Sequence, residues 1–202
     1  YQKLDTLKDK NGRYLLQDSI VSALITLAKQ NPKRSSFTMT EIARQAGISR
    51  QAIYQKHFHN YEDIIKYIHE QADQQIFQIF NNYCLRRDGN PIECFADYAI
   101  PLIYENRNII RTLFITQVDP GWKEFLRVAY SKWLQKNIHY NKEFDFSEND
   151  MTYVVTNMII TFIEAWIRKE NPTPPERFKK TFLLLTTISL RDYMILQEKD
   201  SE

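Results

Sequence analysis

The chain has 202 residues, enough to bury a full core as one domain or as a small domain joined to a larger one, and its formal net charge is only +2. No apolar run approaches the ~20 residues that a membrane-spanning helix needs and no signal-peptide pattern is found, so the expectation is a cytoplasmic protein without a membrane partner. The charge is uneven: residues 1–69 hold 11 Lys and Arg against 6 Asp and Glu, the remainder 16 against 19, a split that suits a basic end meeting a polyanion and also suits chance.

The residue inventory argues against chemistry. His57, His59, His69 and His139 form no metal-ligand set, and neither a Gly-rich phosphate loop nor a nucleophile elbow occurs, so no catalytic residue, metal or cofactor is expected. Cys84 and Cys94 make no Cys-x-x-Cys pair and read as two reduced thiols. The chain opens on Tyr1 rather than Met, which leaves room for a basic arm ahead of it.

Nearly every apolar cluster has helical spacing, and no hairpin turn or sustained alternation suggests strands. Leu16, Ile20, Ala23, Leu24 and Leu27 predict a first helix from about residue 15 to 30, ended by Asn31-Pro32. After the loop NPKRSS, Thr38 and Glu41 form a capping box, with Thr40 as the alternative cap, for a short helix whose Ile42, Ala43 and Ala46 face inward. Gly47 stops it, because a tight turn between helices asks for positive φ, and Ser49 caps the next helix. That helix turns Ile53 inward and Arg50, Gln51, Tyr54 and Gln55 outward, with Ile48 plugging the turn. Helix, glycine turn and capped helix is the helix-turn-helix pattern, whose second helix lies in a DNA major groove; a plain helical hairpin also satisfies it.

Asn60 to Asp63 predicts another cap, and a long helix follows through Ile64, Ile68, Ala72, Ile76 and Phe80. Arg86 to Pro91 breaks the chain. Further helices are expected around Phe95 to Ile103, from Asn106 and Asn108 through Phe114, and, after the turn Val118-Asp119-Pro120-Gly121, from Phe125 to near His139. Residues 151–169 and 176–197 then predict two helices whose apolar positions spread too far around for one buried stripe. Such helices need cover on two sides, so Val155, Ile159, Phe162, Trp166, Phe178, Phe182, Leu185 and Ile188 are the expected homodimer interface, against the alternative of a monomer core.

Taken together, Thr38-x-x-Glu41-Ile42-Ala43, Ala46-Gly47-Ile48-Ser49, Arg50-x-Ala52-Ile53-Tyr54, Phe58 and Glu62-Asp63-Ile64-Ile65 resemble the DNA-binding domain of the TetR/AcrR family of bacterial transcriptional regulators. The likeness covers residues 13 to about 68 closely; Glu164-Ala165-Trp166 and Pro174-Pro175-Glu176 are similar to the family's C-terminal helix pair, which dimerises as a four-helix bundle. It implies an all-α fold: a helix-turn-helix domain at 1–68, joined by the long helix to a helical domain at 69–202 that dimerises and commonly encloses a small-molecule cavity, whose occupation tilts the connecting helix. Three departures stand at the DNA surface. Gln51 replaces a common Gly, Tyr61 a common Lys, and three residues, Gln55, Lys56 and His57, separate Tyr54 from Phe58 where two are usual.

On such a surface Arg50 can bond guanine and Gln51 adenine in two-pronged fashion, and Ala52 can touch a thymine methyl. Tyr54 matches the family tyrosine, which implies a phosphate contact. Thr38 and Ser49 would offer hydroxyls and amides to phosphates, Lys56, His57 and Tyr61 would lie near the backbone, and Lys33, Arg34 and Arg44 would add charge. The expected function is a dimeric regulator, a repressor, that reads an inverted-repeat operator in double-stranded DNA and answers to a small-molecule inducer. The alternative is a TetR-like helical protein that has lost DNA binding and acts through a protein or small-molecule partner.

Overall fold

The computed structural model describes residues 19–56, 58–81, 90–188 and 190–194, and among them the regular structure is helical with no strand. The predicted helix start at residues 15–18, His57, Cys84, Arg86 to Gly89 and Ile195 lie outside the described residues.

α1 (Ser19–Gln30) buries Ile20, Val21, Leu24, Ile25 and Ala28, residues three and four apart that form one stripe. α2 (Met39–Ala46) is capped by Thr38, whose side chain accepts from the Glu41 amide while the Glu41 carboxylate accepts from the Thr38 amide. Gly47 follows at φ 70°, and its amide donates to the Arg44 carbonyl while the Ile48 amide donates to the Ala43 carbonyl. These two bonds satisfy carbonyls that a helix end would leave orphaned, and they require the left-handed residue. Ser49 then caps α3 (Arg50–Gln55), whose Ile53 is fully buried.

α4 (Tyr61–Ile79) is capped by Asn60, which accepts from the Asp63 amide. The Asp63 carboxylate accepts from the His59 amide rather than from the cap residue, so the reciprocal half of this box lies one residue earlier than in the Thr38 box. α5 (Pro91–Cys94), a wide π-type turn (Phe95–Ala99) and α6 (Ile100–Glu105) run on as one irregular rod. The widening ends one residue short of Pro101, which has no amide hydrogen to give the preceding turn. α7 (Arg107–Ile115), α8 (Trp122–Asn137), α9 (Glu148–Ile167) and α10 (Pro175–Thr187) complete the body, with a 3₁₀ turn at Leu190–Tyr193. α9 starts three residues before the expected 151, because Ser147 and Asp150 form a capping box. α10 stops at Thr187 rather than running to 197, since Ile188 is extended at ψ 157°.

One hydrophobic cluster runs from Ile20 to Phe182, with α8 packed along α9, α10 against α6, and α1 against α7. The boundary expected at residue 68 therefore falls inside α4, a single helix with buried residues from Ile64 to Ile79. Cys94 is disulfide-bonded, which corrects the reading of two free thiols.

The expected dimer set also divides. Ile159, Trp166, Phe178 and Phe182 are buried in the chain's own core, Trp166 stacking on Phe178 at 4.0 Å between ring centres while its indole donates to the Thr173 carbonyl. They are corrected to core residues. Val155, Phe162, Leu185 and Ile188 keep partial exposure, and the outer face of the pair adds the exposed Tyr153, Met158 and Leu184. Two-sided periodicity revealed that both sides of these helices are apolar; which side meets the chain's own body depends on the rotation of each helix.

A Cβ at Gly47 would meet no atom within 4 Å, so a side chain there is opposed by backbone strain alone. Gly47→Ala is expected to lower unfolding stability by ~1 kcal/mol and Gly47→Asn by less, read by urea denaturation.

Candidate nucleic-acid interface

The caps and Gly47 aim α3 outward. Arg50 and Gln51 are exposed, while Ala52 and Tyr54 are half-buried. Arg50 donates from Nε and Nη2 to the Tyr54 hydroxyl at 3.1 and 2.9 Å, and its guanidinium stands 5.7 Å from the centre of the Tyr54 ring. Because the phenol oxygen accepts these bonds, its O–H remains directed elsewhere and can donate to a phosphate oxygen. The Tyr54 ring also stacks with that of His59 at 6.1 Å. Ser49 Oγ accepts from the Ala52 amide at 3.1 Å, so its hydroxyl hydrogen also stays available. Lys56 Nζ lies 3.4 Å from Ser19 Oγ, placing this cation beside the start of α1. His57 lies outside the described residues.

One expected contact is corrected, and another is already engaged within the chain. Thr38 commits its amide and hydroxyl to one Glu41 carboxylate oxygen, at 2.8 and 3.0 Å. That carboxylate accepts two bonds from Arg34 at 2.8 and 3.0 Å, and Arg34 in turn lies over the Phe37 ring at 4.3 Å. Bonding to Arg34, and next to Thr38, holds the Glu41 carboxyl down at about 2. A fixed anion occupies the start of α2, and Arg34 neutralises it instead of adding charge to the outer surface. Tyr61 faces inward: its hydroxyl donates to the Val118 carbonyl and its ring sits 6.3 Å from that of Phe37. Burial, with the nearby Asp119 charge, pushes its pKa up, so this phenol stays protonated as a donor.

Tyr61 belongs to a seam between the helix-turn-helix unit and the loop 116–121 of the body. The Gln117 amide donates to the Pro32 carbonyl at 2.8 Å, and His69 Nε2 meets Asp119 Oδ2 at 2.5 Å. The other Asp119 oxygen accepts from the Gly121 amide at 3.0 Å. The His69 ring stacks on Phe125 at 4.1 Å, with Trp122 at 6.0 Å.

Beneath that seam, α4, α6, α7, α8 and α9 enclose an apolar cavity, in which about 50 Å³ is open to the centre of a water-sized sphere. Ile76, Leu102, Phe114, Leu126 and Ile160 line it, together with Gln75, Asn106 and Trp122. Asn106 stands at the predicted start of α7, yet it makes no side-chain cap there; its Nδ2 donates back to the Leu102 carbonyl at 2.9 Å. Neither His69 and Asp119 nor Gln75 was identified from the sequence. The signal for Gln75 was a polar residue on the stripe Ile68, Ala72, Ile79; His69 and Asp119 are 50 residues apart and left no local signal.

No family model matches the chain, and no curated protein matches it. Among solved structures, the chain is similar to the crystal structure of a TetR transcriptional regulator from Streptococcus agalactiae 2603V, with 19% identity, a TM-score of 0.55, and coverage of 83% of this chain and 90% of that one. At that identity the likeness shows a shared all-helical fold. No helix among the described residues is long and apolar enough to cross a membrane.

Because the Glu41 carboxyl lies below its ordinary 4.5 when folded, the stability it lends is present above that value and is lost as pH falls toward 2. Arg34→Ala is expected to raise the Glu41 titration midpoint toward 4.5 and move acid unfolding to higher pH, by only a little since both side chains are exposed. A carbon-detected NMR titration checks this; an unmoved midpoint would assign the shift to Thr38 alone.

Proposed function

We propose that this chain is a sequence-specific DNA-binding transcriptional regulator of the TetR kind, acting as a cytoplasmic repressor without catalytic activity. The observation that carries the reading is the outer face of α3, where Arg50, Gln51 and Tyr54 are held outward by a left-handed Gly47 and a Ser49 cap, in a chain with the fold of a TetR regulator. Arg50 and Gln51 read base edges, Ala52 touches a thymine methyl, and Tyr54, Ser49 and Lys56 hold the phosphates. Tyr61 is assigned to the seam with the body.

The protein works as a two-fold dimer, since two readers against successive turns of one DNA face, roughly 34–36 Å apart, meet an inverted repeat. The outer face of α9 and α10, with Val155, Met158, Phe162, Leu184, Leu185 and Ile188, is the surface that pairs. A ligand in the cavity disturbs α4 and with it the spacing of the two readers, a coupling of ~1–3 kcal/mol in a typical allosteric protein.

Fluorescence anisotropy against duplex DNA from upstream of the chain's own gene tests the reading. Arg50→Ala is expected to cost ~1–3 kcal/mol on the operator and little on scrambled duplex, with affinity falling steeply as salt rises. Weak binding, equal on both duplexes and indifferent to Arg50→Ala with Tyr54→Ala, would favour the helical protein that no longer reads DNA.

Met158→Glu with Leu184→Glu changes exposed residues and should give folded monomers in sedimentation. An intact dimer would place the interface elsewhere. Phe182→Glu is expected to unfold the chain, because Phe182 is fully buried in its own core.

A further inference from the structure

Of the seven buried side-chain polar atoms without a hydrogen-bond partner among the described residues, three stand on the wall of this one cavity. Gln75 and Asn106 are 2% and 3% exposed, and Trp122 is 3% exposed; yet Gln75 Nε2, Asn106 Oδ1 and Trp122 Nε1 have no hydrogen-bond partner. A buried polar atom without a partner costs ~1–3 kcal/mol, and three on the wall of one cavity are three groups that a guest can satisfy. The open space is several times the ~10–15 Å³ needed for one water.

We infer that this cavity binds a compact, uncharged, largely apolar molecule bearing a carboxamide or an equivalent carbonyl beside an O–H or N–H. The donors and acceptor dictate the class. Gln75 Nε2 and Trp122 Nε1 are donors that a carbonyl oxygen, with its two lone pairs, can satisfy, and Asn106 Oδ1 is an acceptor for an N–H or O–H. No Lys, Arg, His, Asp or Glu is among the lining residues, so a carboxylate or ammonium would enter without a counter-ion and bear an uncompensated desolvation penalty. Apolar walls such as Ile76, Phe114 and Ile163 receive the rest of the molecule.

The three groups lie on different elements: Gln75 on α4, Asn106 at the joint before α7, and Trp122 at the start of α8. Trp122 packs on Phe125 at 5.6 Å, and Phe125 stacks on the His69 that pairs with Asp119. A guest bound to all three therefore acts on the connecting helix and on the seam at once. That regulatory meaning rests on the DNA-reading function proposed above; the binding itself does not.

The test uses the full chain without DNA and a matched six-carbon series, hexanamide, hexanoate and hexylammonium, followed through the indole N–H resonances. The other two indoles are already engaged, Trp133 with Asn81 Oδ1 at 3.3 Å and Trp166 with the Thr173 carbonyl at 2.8 Å, so Trp122 reports on the cavity selectively. Hexanamide is expected to shift the Trp122 signal saturably and to leave the other two in place, with hexanoate and hexylammonium at least roughly tenfold weaker. Gln75→Met, which keeps volume, should weaken hexanamide by roughly tenfold, and Asn106→Leu, still read at the Trp122 indole, by a similar factor. Both variants are checked for native circular dichroism; should one fail to fold, the other together with the charged controls decides. Equal binding of the charged compounds, no Trp122 shift up to the solubility limit of hexanamide, or a folded Gln75→Met that binds undiminished would overturn the assignment. Loss of DNA binding with hexanamide binding intact would sink the regulator reading and spare this one.

Discussion

Helix α4 has to line one continuous core from the helix-turn-helix into the body with a single rigid rod, and the arrangement of the rest of the chain follows from that constraint. Its 19 residues span about 28 Å at the α-helical rise, from the capped turn after α3 to the far side of the body. Ile64 and Ile68 close the core beneath the helix-turn-helix, while Ala72, Gln75 and Ile76 form one wall of the cavity. A helix resists bending within a few turns, so a displacement of one end appears at the other. α4 runs unbroken from the helix-turn-helix into the body, with no flexible linker to absorb it.

The seam at loop 116–121 is the second tie, and its chemistry differs from that of the core. Two polar contacts, from Gln117 to Pro32 and from Tyr61 to Val118, tie the helix-turn-helix unit to the loop, and His69 on α4 pairs with Asp119 beside them. Directional bonds of this kind hold one geometry and lose their value when it shifts, whereas apolar packing can slide at modest cost. Trp122 stands where the loop ends and the cavity begins, in reach of both.

On the outer face of the helix-turn-helix, charge is arranged with economy. Arg34 and Glu41 neutralise each other at the start of α2, while Arg50 is held by Tyr54 through an uncharged oxygen. The first pair fixes the entry to the helix-turn-helix. The second leaves a full positive charge on the outer face, oriented in advance by its neighbour, so less side-chain freedom remains to be lost when an anion binds.

The local features of this fold could be read without coordinates, because each is decided within a few residues. Helical periodicity, the Thr38 and Ser49 caps, the left-handed Gly47 and the inward Ile53 depend on backbone geometry and on neighbours three or four positions away. The outward placement of Arg50 and Gln51 follows from the same periodicity. What the sequence left undetermined is what depends on how helices rotate against partners far along the chain. Phe182 and Trp166 belong to the chain's own core and Met158 and Leu184 to its surface, although all four stand on helices apolar on both sides. Tyr61 turns to the body because the Val118 carbonyl, 57 residues away, waits there. Gln75, Asn106 and Trp122 meet around one cavity only once α4, α7 and α8 have packed, since burial and hydrogen-bond satisfaction are properties of the assembled interior and not of any short stretch of sequence.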